Sequence, residues 1–128
     1  MSAEKNAKVL IVDDSESMRV IAAAIVQKLG YSVCGVAANG EEAVSLALRD
    51  KPDIVLLDIV MPLKNGIEAL KEIKAGHPDA IVVMMTQMAD SNLVEECLEA
   101  GAANYILKSA THEEIAQSIK EAWEADKA

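Results

Sequence analysis

Four apolar runs in this chain stop on residues able to handle a charged oxygen. Lys8-Val-Leu-Ile-Val12 runs into Asp13-Asp14, Ile54-Val-Leu-Leu57 into Asp58, Ala80–Met85 into Thr86, and Asn104–Leu107 into Lys108. If those ends share one edge of a sheet, three carboxylates meet there. Anions that close repel one another and raise each other's pKa, so the cluster calls for a cation. A hard divalent ion with oxygen ligands, Mg2+ above all, answers that need. With a hydroxyl and an ammonium beside it, the set suits a phosphoryl group, whose transfer is largely positioning and charge neutralisation. Asp58, the central carboxylate, is then the covalent acceptor, forming an acyl phosphate. Thr86 and Lys108 are left to bind the phosphoryl oxygens. There is no Walker A loop or GxGxxG fingerprint, so the group is expected to arrive on another protein rather than a nucleotide.

Those residues need a scaffold that aligns strand ends. The runs before Asp13 and Asp58 are rich in Val, Ile and Leu without alternation, the mark of strands covered on both faces of a parallel sheet. Between them lie helical stripes. Met18, Ile21, Ala22, Ile25, Val26 and Leu29 form the first, stopped by Gly30, and a short strand follows at Tyr31–Val36. Asn39 with Glu42 resembles a capping pair for a helix to about Arg49. Met61–Gly66 reads as a turn, with Gly66 free to take positive φ. A helix then carries Ile67, Leu70 and Ile73 inward to about Ala75. Leu93, Val94, Cys97 and Leu98 mark a fourth helix within Ser91–Ala100. Thr111 with Glu114 is a capping box for the last, with Ile115, Ala116, Ile119, Ala122 and Trp123 facing in. Alternating strands and helices predict an open parallel sheet with helices on both faces, a three-layer α/β/α architecture. In such sheets ligands bind beyond the carboxyl ends of the strands.

Composition narrows the function. The chain has 128 residues, 52% of them hydrophobic, and a formal net charge of −9. That length fits one domain, 1–128, and the charge argues against nucleic-acid or anionic-membrane partners, which reward clustered Lys and Arg. Cys34 and Cys97 lack metal or disulfide spacing and are expected as buried thiols. The six Met residues substitute for absent Phe as adaptable core volume. His77 and His112 are expected to be exposed. No signal peptide or membrane-length apolar run is present, so a cytoplasmic location is the default.

Taken singly, these residues have plainer explanations. Asp13-Asp14 could serve a helix N-terminus, Lys108 a solvated strand end, Tyr105 ordinary packing. Together the chain resembles the receiver domains of two-component response regulators, CheY-like single-domain members in particular. The match rests on Asp13-Asp14, Asp58-Ile-Val-Met61-Pro62 with Gly66, Thr86, Tyr105 and Lys108, and spans essentially the whole chain. The resemblance implies a flavodoxin-like, doubly wound, five-stranded parallel sheet in order 2-1-3-4-5 with five helices, an order of which flavodoxin and CheY are standard examples. It implies Asp58 as phosphoacceptor for a histidine kinase or histidine phosphotransfer protein. Mg2+ would be bound by Asp14, Asp58 and the Val60 carbonyl, and by Asp13 through water. Thr86 and Tyr105 would be the switch pair, altering an effector-binding face around the fourth helix and fifth strand. The protein would be a monomer, with dimerisation on phosphorylation left open, and would catalyse only its own phosphorylation and dephosphorylation. Ending at Ala128 soon after the last helix, it is expected to act without an output domain or to be an excised receiver.

Four positions depart from the pattern. Ser109 follows Lys108 where the family commonly has a cis proline, so this loop must hold a strained cis bond or take another path. Gln87 replaces a small residue. Val60 and Met88 offer no polar group to orient a hydrolytic water, which predicts slow loss of the phosphoryl group. Two other classes compete: a hydrolase with an aspartyl-phosphate intermediate, disfavoured because Val60 leaves no general acid two residues after Asp58, and an unphosphorylated pseudo-receiver acting as an interaction or dimerisation module.

Overall fold

A computed structural model describes residues 7–87 and 90–127. Strands and helices alternate: β1 Lys8–Val12, α1 Glu16–Lys28, β2 Ser32–Ala37, α2 Gly40–Asp50, β3 Ile54–Asp58, α3 Gly66–Gly76, β4 Ile81–Thr86, α4 Ser91–Glu99, β5 Asn104–Leu107 and α5 His112–Lys127. The five strands pair in parallel in the order β2-β1-β3-β4-β5. The flavodoxin-like arrangement expected from the resemblance is therefore the one observed.

The unalternating strands are explained by two cores. Leu10, Val12, Val55, Leu57, Val82 and Met84 pack with Ala43, Ala47, Leu70, Ile73 and Cys97 of α2, α3 and α4. Val9, Ile11, Ile54, Leu56, Val83 and Met85 face the other way, against Val26 of α1 and Ile115 and Ile119 of α5. Every second residue is apolar for one face and its neighbours for the other, so no polar face is left to alternate.

Local signals set the helix ends. Ser15 caps α1, its Oγ accepting from Met18 N at 3.3 Å. Asn39 Oδ1 accepts from Glu42 N at 2.8 Å, while Glu42 reaches back to Ala38 N rather than to the cap itself. Thr111 and Glu114 form the reciprocal box ahead of α5. The capping box at Asn65 and Glu68 was not anticipated.

Several expectations need correcting. β2 starts and ends one residue later than Tyr31–Val36, and a register shift between Val9 and Leu10 leaves Cys34 without a partner opposite. Cys34 is consequently half-buried at a sheet edge, whereas Cys97 is buried. His77 is half-buried, its Nε2–H donating to the Pro52 carbonyl at 2.9 Å, while His112 is exposed. Met61, Met84 and Met85 are core and Met18 is only partly covered; Met1 and Met88 lie outside the described residues.

Candidate functional site

Register brings the acids together. Val12 pairs with Leu57, so the next residues, Asp13 and Asp58, leave adjacent strands side by side, on the face that alternation assigns to α1 and α5. This is the point where the order of strands reverses, β1 having β2 on one side and β3 on the other. One oxygen of each of Asp13, Asp14 and Asp58 lies within 4.8 Å of the others. Asp13 and Asp58 are each 5% exposed, and Asp14 faces solvent.

Lys108 reaches across the end of β4 to both buried acids, with Nζ 2.7 Å from Asp13 Oδ2 and 3.1 Å from Asp58 Oδ2. Its backbone N–H donates to the Thr86 carbonyl at 2.8 Å, which continues the β4–β5 ladder one step and fixes the root of the side chain. No cis peptide occurs among the described residues, so the Lys108–Ser109 loop takes the alternative path. A turn closed by Ala110 N–H on the Leu107 carbonyl delivers the lysine instead.

The charges in this nest are not balanced. Burial, and secondarily Asp13, push the Asp58 carboxyl above the usual aspartate value despite the opposing pull of Lys108. Burial works against the Lys108 ammonium, but its bonds to Asp13 and Asp58 outweigh that and hold it above the ordinary lysine value. Two buried carboxylates thus share one ammonium. Donors that are all hard oxygens, one exposed and two partnered by a single cation, fit Mg2+ well.

The loop after Asp58 is tightly shaped. A Cβ on Gly66 would lie 2.0 Å from the Asp58 carbonyl oxygen, and its N–H donates to the Ile59 carbonyl at 2.7 Å. Glycine is needed here for that close approach; positive φ falls instead on Leu63, at +69°. Leu63 sits between Pro62 and Lys64, whose carbonyl and N–H bond at 2.8 Å, and its side chain is 75% exposed. The cleft over the acids is lined by Asp14, Ser15, Met18, Asp58, Val60, Thr86, Gln87 and Lys108.

Thr86 and Tyr105 share the opposite face of the sheet. Met84 pairs with Tyr105, which places Tyr105 diagonally below Thr86 on the neighbouring strand. Their side chains are hydrogen-bonded; that bond draws the Tyr105 hydroxyl down, while burial and nearby Cys97 push it up more strongly. Tyr105 also lines a groove with Ser91, Val94, Leu98, Asn104 and Leu107 between α4 and β5.

Two contributors went unforeseen. Ser15 N–H donates to Asp13 Oδ1 at 2.9 Å, and Arg19 Nη1 donates to the Asp13 carbonyl at 2.7 Å. A serine before the first apolar stripe is a legible cap signal. Nothing in the spacing of Arg19 marks it.

A doubly wound sheet with acids and a lysine gathered at its switch point describes a class of phosphate-handling signalling modules, and the comparisons are consistent with this. The response regulator receiver domain family matches residues 9–120, and the chain belongs to that family of two-component signalling proteins. Chemotaxis protein CheY of Thermotoga maritima is 41% identical over 112 residues, covering 88% of this chain and 93% of that protein. A CheY-like receiver from Methanospirillum hungatei superposes with a TM-score of 0.89 at 27% identity, covering 96% and 98% of the two chains. The CheY of a CheX-CheY-BeF3-Mg2+ complex from Borrelia burgdorferi gives 0.87 at 34%, covering 90% and 87%. Among the described residues, no helix is long and apolar enough to cross a membrane.

Proposed function

We propose that this protein is a phosphorylation-activated signalling switch in which Asp58 accepts a phosphoryl group from a histidine kinase or histidine phosphotransfer protein. The observation that carries this reading is the convergence of Asp13, Asp14, Asp58 and Lys108, from three strand ends, into one cluster beneath a cleft lined by Asp14, Asp58 and Lys108. A carboxylate oxygen of Asp58 attacks the phosphorus of a phosphohistidine. The O–P bond forms as the N–P bond breaks, and the imidazole nitrogen leaves with the electron pair. Lys108 and the Thr86 hydroxyl donate to the phosphoryl oxygens. As the family resemblance implies, Asp14, Asp58 and the Val60 carbonyl would hold Mg2+ directly and Asp13 through water. Bound there, the ion neutralises charge on the phosphoryl group.

Signalling follows from competition for Thr86. Its side chain bonds Tyr105 at rest, and a phosphoryl oxygen offers a stronger, charged acceptor. Drawing Thr86 over lets Tyr105 turn inward and alters the groove between α4 and β5, where an effector protein binds. This is a population shift driven by contacts made in only one conformer. The Borrelia relative assembled with CheX, BeF3 and Mg2+ supports both ion and partner. The receiver unit accounts for residues 1–128, works in the cytoplasm, and performs no chemistry beyond its own phosphorylation and dephosphorylation. The net charge of −9 leaves nucleic acid and membrane out of the reading.

Incubation with Mg2+ and acetyl phosphate tests it. Acid-stable, hydroxylamine-labile phosphate should appear on Asp58 and vanish in Asp58→Ala or on chelation. Absence of incorporation would favour the pseudo-receiver, a module that only binds or dimerises.

A further inference from the structure

Asp13 is held at every polar atom. Its N–H donates to the Ala37 carbonyl at 3.0 Å, its Oδ1 accepts from Ser15 N–H, its Oδ2 pairs with Lys108, and its carbonyl accepts from Arg19. The first three are met by the strand partner, the helix cap and the ion pair. The fourth is different, because the carbonyl of Asp13 belongs to the peptide that joins Asp13 to Asp14. A peptide is planar, so pinning its oxygen fixes ψ of Asp13 and φ of Asp14 together. One guanidinium therefore sets how the two acids are splayed relative to each other. The bond, at 2.7 Å, has the length of a charge-assisted contact, and Arg19 is half-buried on the first turn of α1.

We propose that Arg19 is a positioning residue for the Mg2+ site, acting through the Asp13–Asp14 peptide. It touches neither the ion nor the phosphoryl group. The inference rests on the acid cluster being the cation site, but not on phosphoryl transfer. Its interest lies in the sign of the effect. A cation beside three carboxylates competes electrostatically with a dication, so if charge alone mattered, removing Arg19 would tighten Mg2+ binding. If the guanidinium sets the acids, removal loosens it, because outer residues that orient ligands typically contribute about 10–100-fold to metal affinity. Since the two effects oppose, the lower end of that range applies.

The test titrates Mg2+ into wild type, Arg19→Gln, Arg19→Lys and, as a charge control on the far turn of the same helix, Lys28→Gln. Arg, Lys and Gln have similar helix propensities, so α1 itself is little disturbed. Arg19→Gln should weaken Mg2+ roughly tenfold, Arg19→Lys should recover part of that, and Lys28→Gln should leave affinity near wild type. In metal-free protein the Asp13 carbonyl 13C resonance should move upfield in Arg19→Gln as the hydrogen bond is lost. Unchanged or tighter Mg2+ binding in Arg19→Gln, or a loss matched by Lys28→Gln, would overturn the proposal. Failure of wild type itself to bind Mg2+ would overturn the reading of the cluster as well, so the two failures are distinguishable.

Discussion

Where the strands begin, polar side chains close off backbone groups. Lys51 Nζ donates to the Gly76 carbonyl at 3.0 Å, Lys74 Nζ to the Pro78 and Ala80 carbonyls at 2.7 Å, and Asp53 accepts from the Lys8 N–H at 2.8 Å. Tyr31 and Trp123 pack edge-to-face nearby with ring centroids 6.3 Å apart. Where the strands end, two buried carboxylates divide one ammonium, a third faces solvent, and Asp58 is pushed toward its neutral form. The same fold spends its polar groups on satisfaction at one edge and tolerates imbalance at the other. An edge with unmet charge is one that an ion or a phosphoryl group can complete.

The sharpest way to break this contrast is to remove the shared ammonium. Lys108→Met leaves the Asp13 and Asp58 carboxylates buried and facing each other, and should cost on the order of 3 kcal/mol in metal-free urea unfolding. Added Mg2+ should restore part of that, because a ligand bound only by the folded state stabilises it. Unchanged stability without metal would mean that the strand-end edge is no more frustrated than its opposite.

Asp58→Asn probes the imbalance from the acid side. The unfolded aspartate titrates near 3.9, and the folded one titrates higher. The folded state thus binds this proton more tightly, so wild type gains stability as pH falls through that window and loses it as pH rises. The variant, without that titration, should have the higher urea midpoint at pH 7 in the absence of metal, with the gap closing toward pH 4. Equal midpoints at pH 7 would contradict the raised carboxyl.

At the quiet edge, Tyr31→Leu removes the aromatic pair and should cost about 1 kcal/mol while phosphate uptake from acetyl phosphate stays at the wild-type rate. Altered uptake would show that the two edges are coupled. The gentlest change concerns the lifetime of the modified state. Val60 is 62% exposed beside the cleft, and Val60→Asn combined with Met88→Glu should shorten phosphoryl lifetime severalfold by orienting water, with little effect on stability. Equal dephosphorylation rates would remove the role given to these apolar positions.

Much of the site was legible because strand ends carry their chemistry in the sequence itself. Apolar runs that stop on Asp13-Asp14, Asp58, Thr86 and Lys108 can be read without knowing their neighbours. The turn after Asp58 was legible only in part: Gly66 stood out, but the reason for it, contact with the Asp58 carbonyl, depends on two segments closing on each other. Leu63 at positive φ could not be read at all, since nothing about leucine favours that conformation. The same holds for Cys34, half-buried beside a register shift that only pairing defines.

The sequence alone determined the alternation of elements, the two-sided burial of the strands, and which side chains stand at their ends, because periodicity and capping are local. Tertiary structure decided that Asp13 meets Asp58 in register, that one lysine serves both, that Tyr105 lies under Thr86, and that Arg19 holds the peptide between two acids. The first three relate residues far apart in the chain, and Arg19 is six residues from Asp13 across the bend from β1 into α1; only strand pairing and helix packing give any of them a distance.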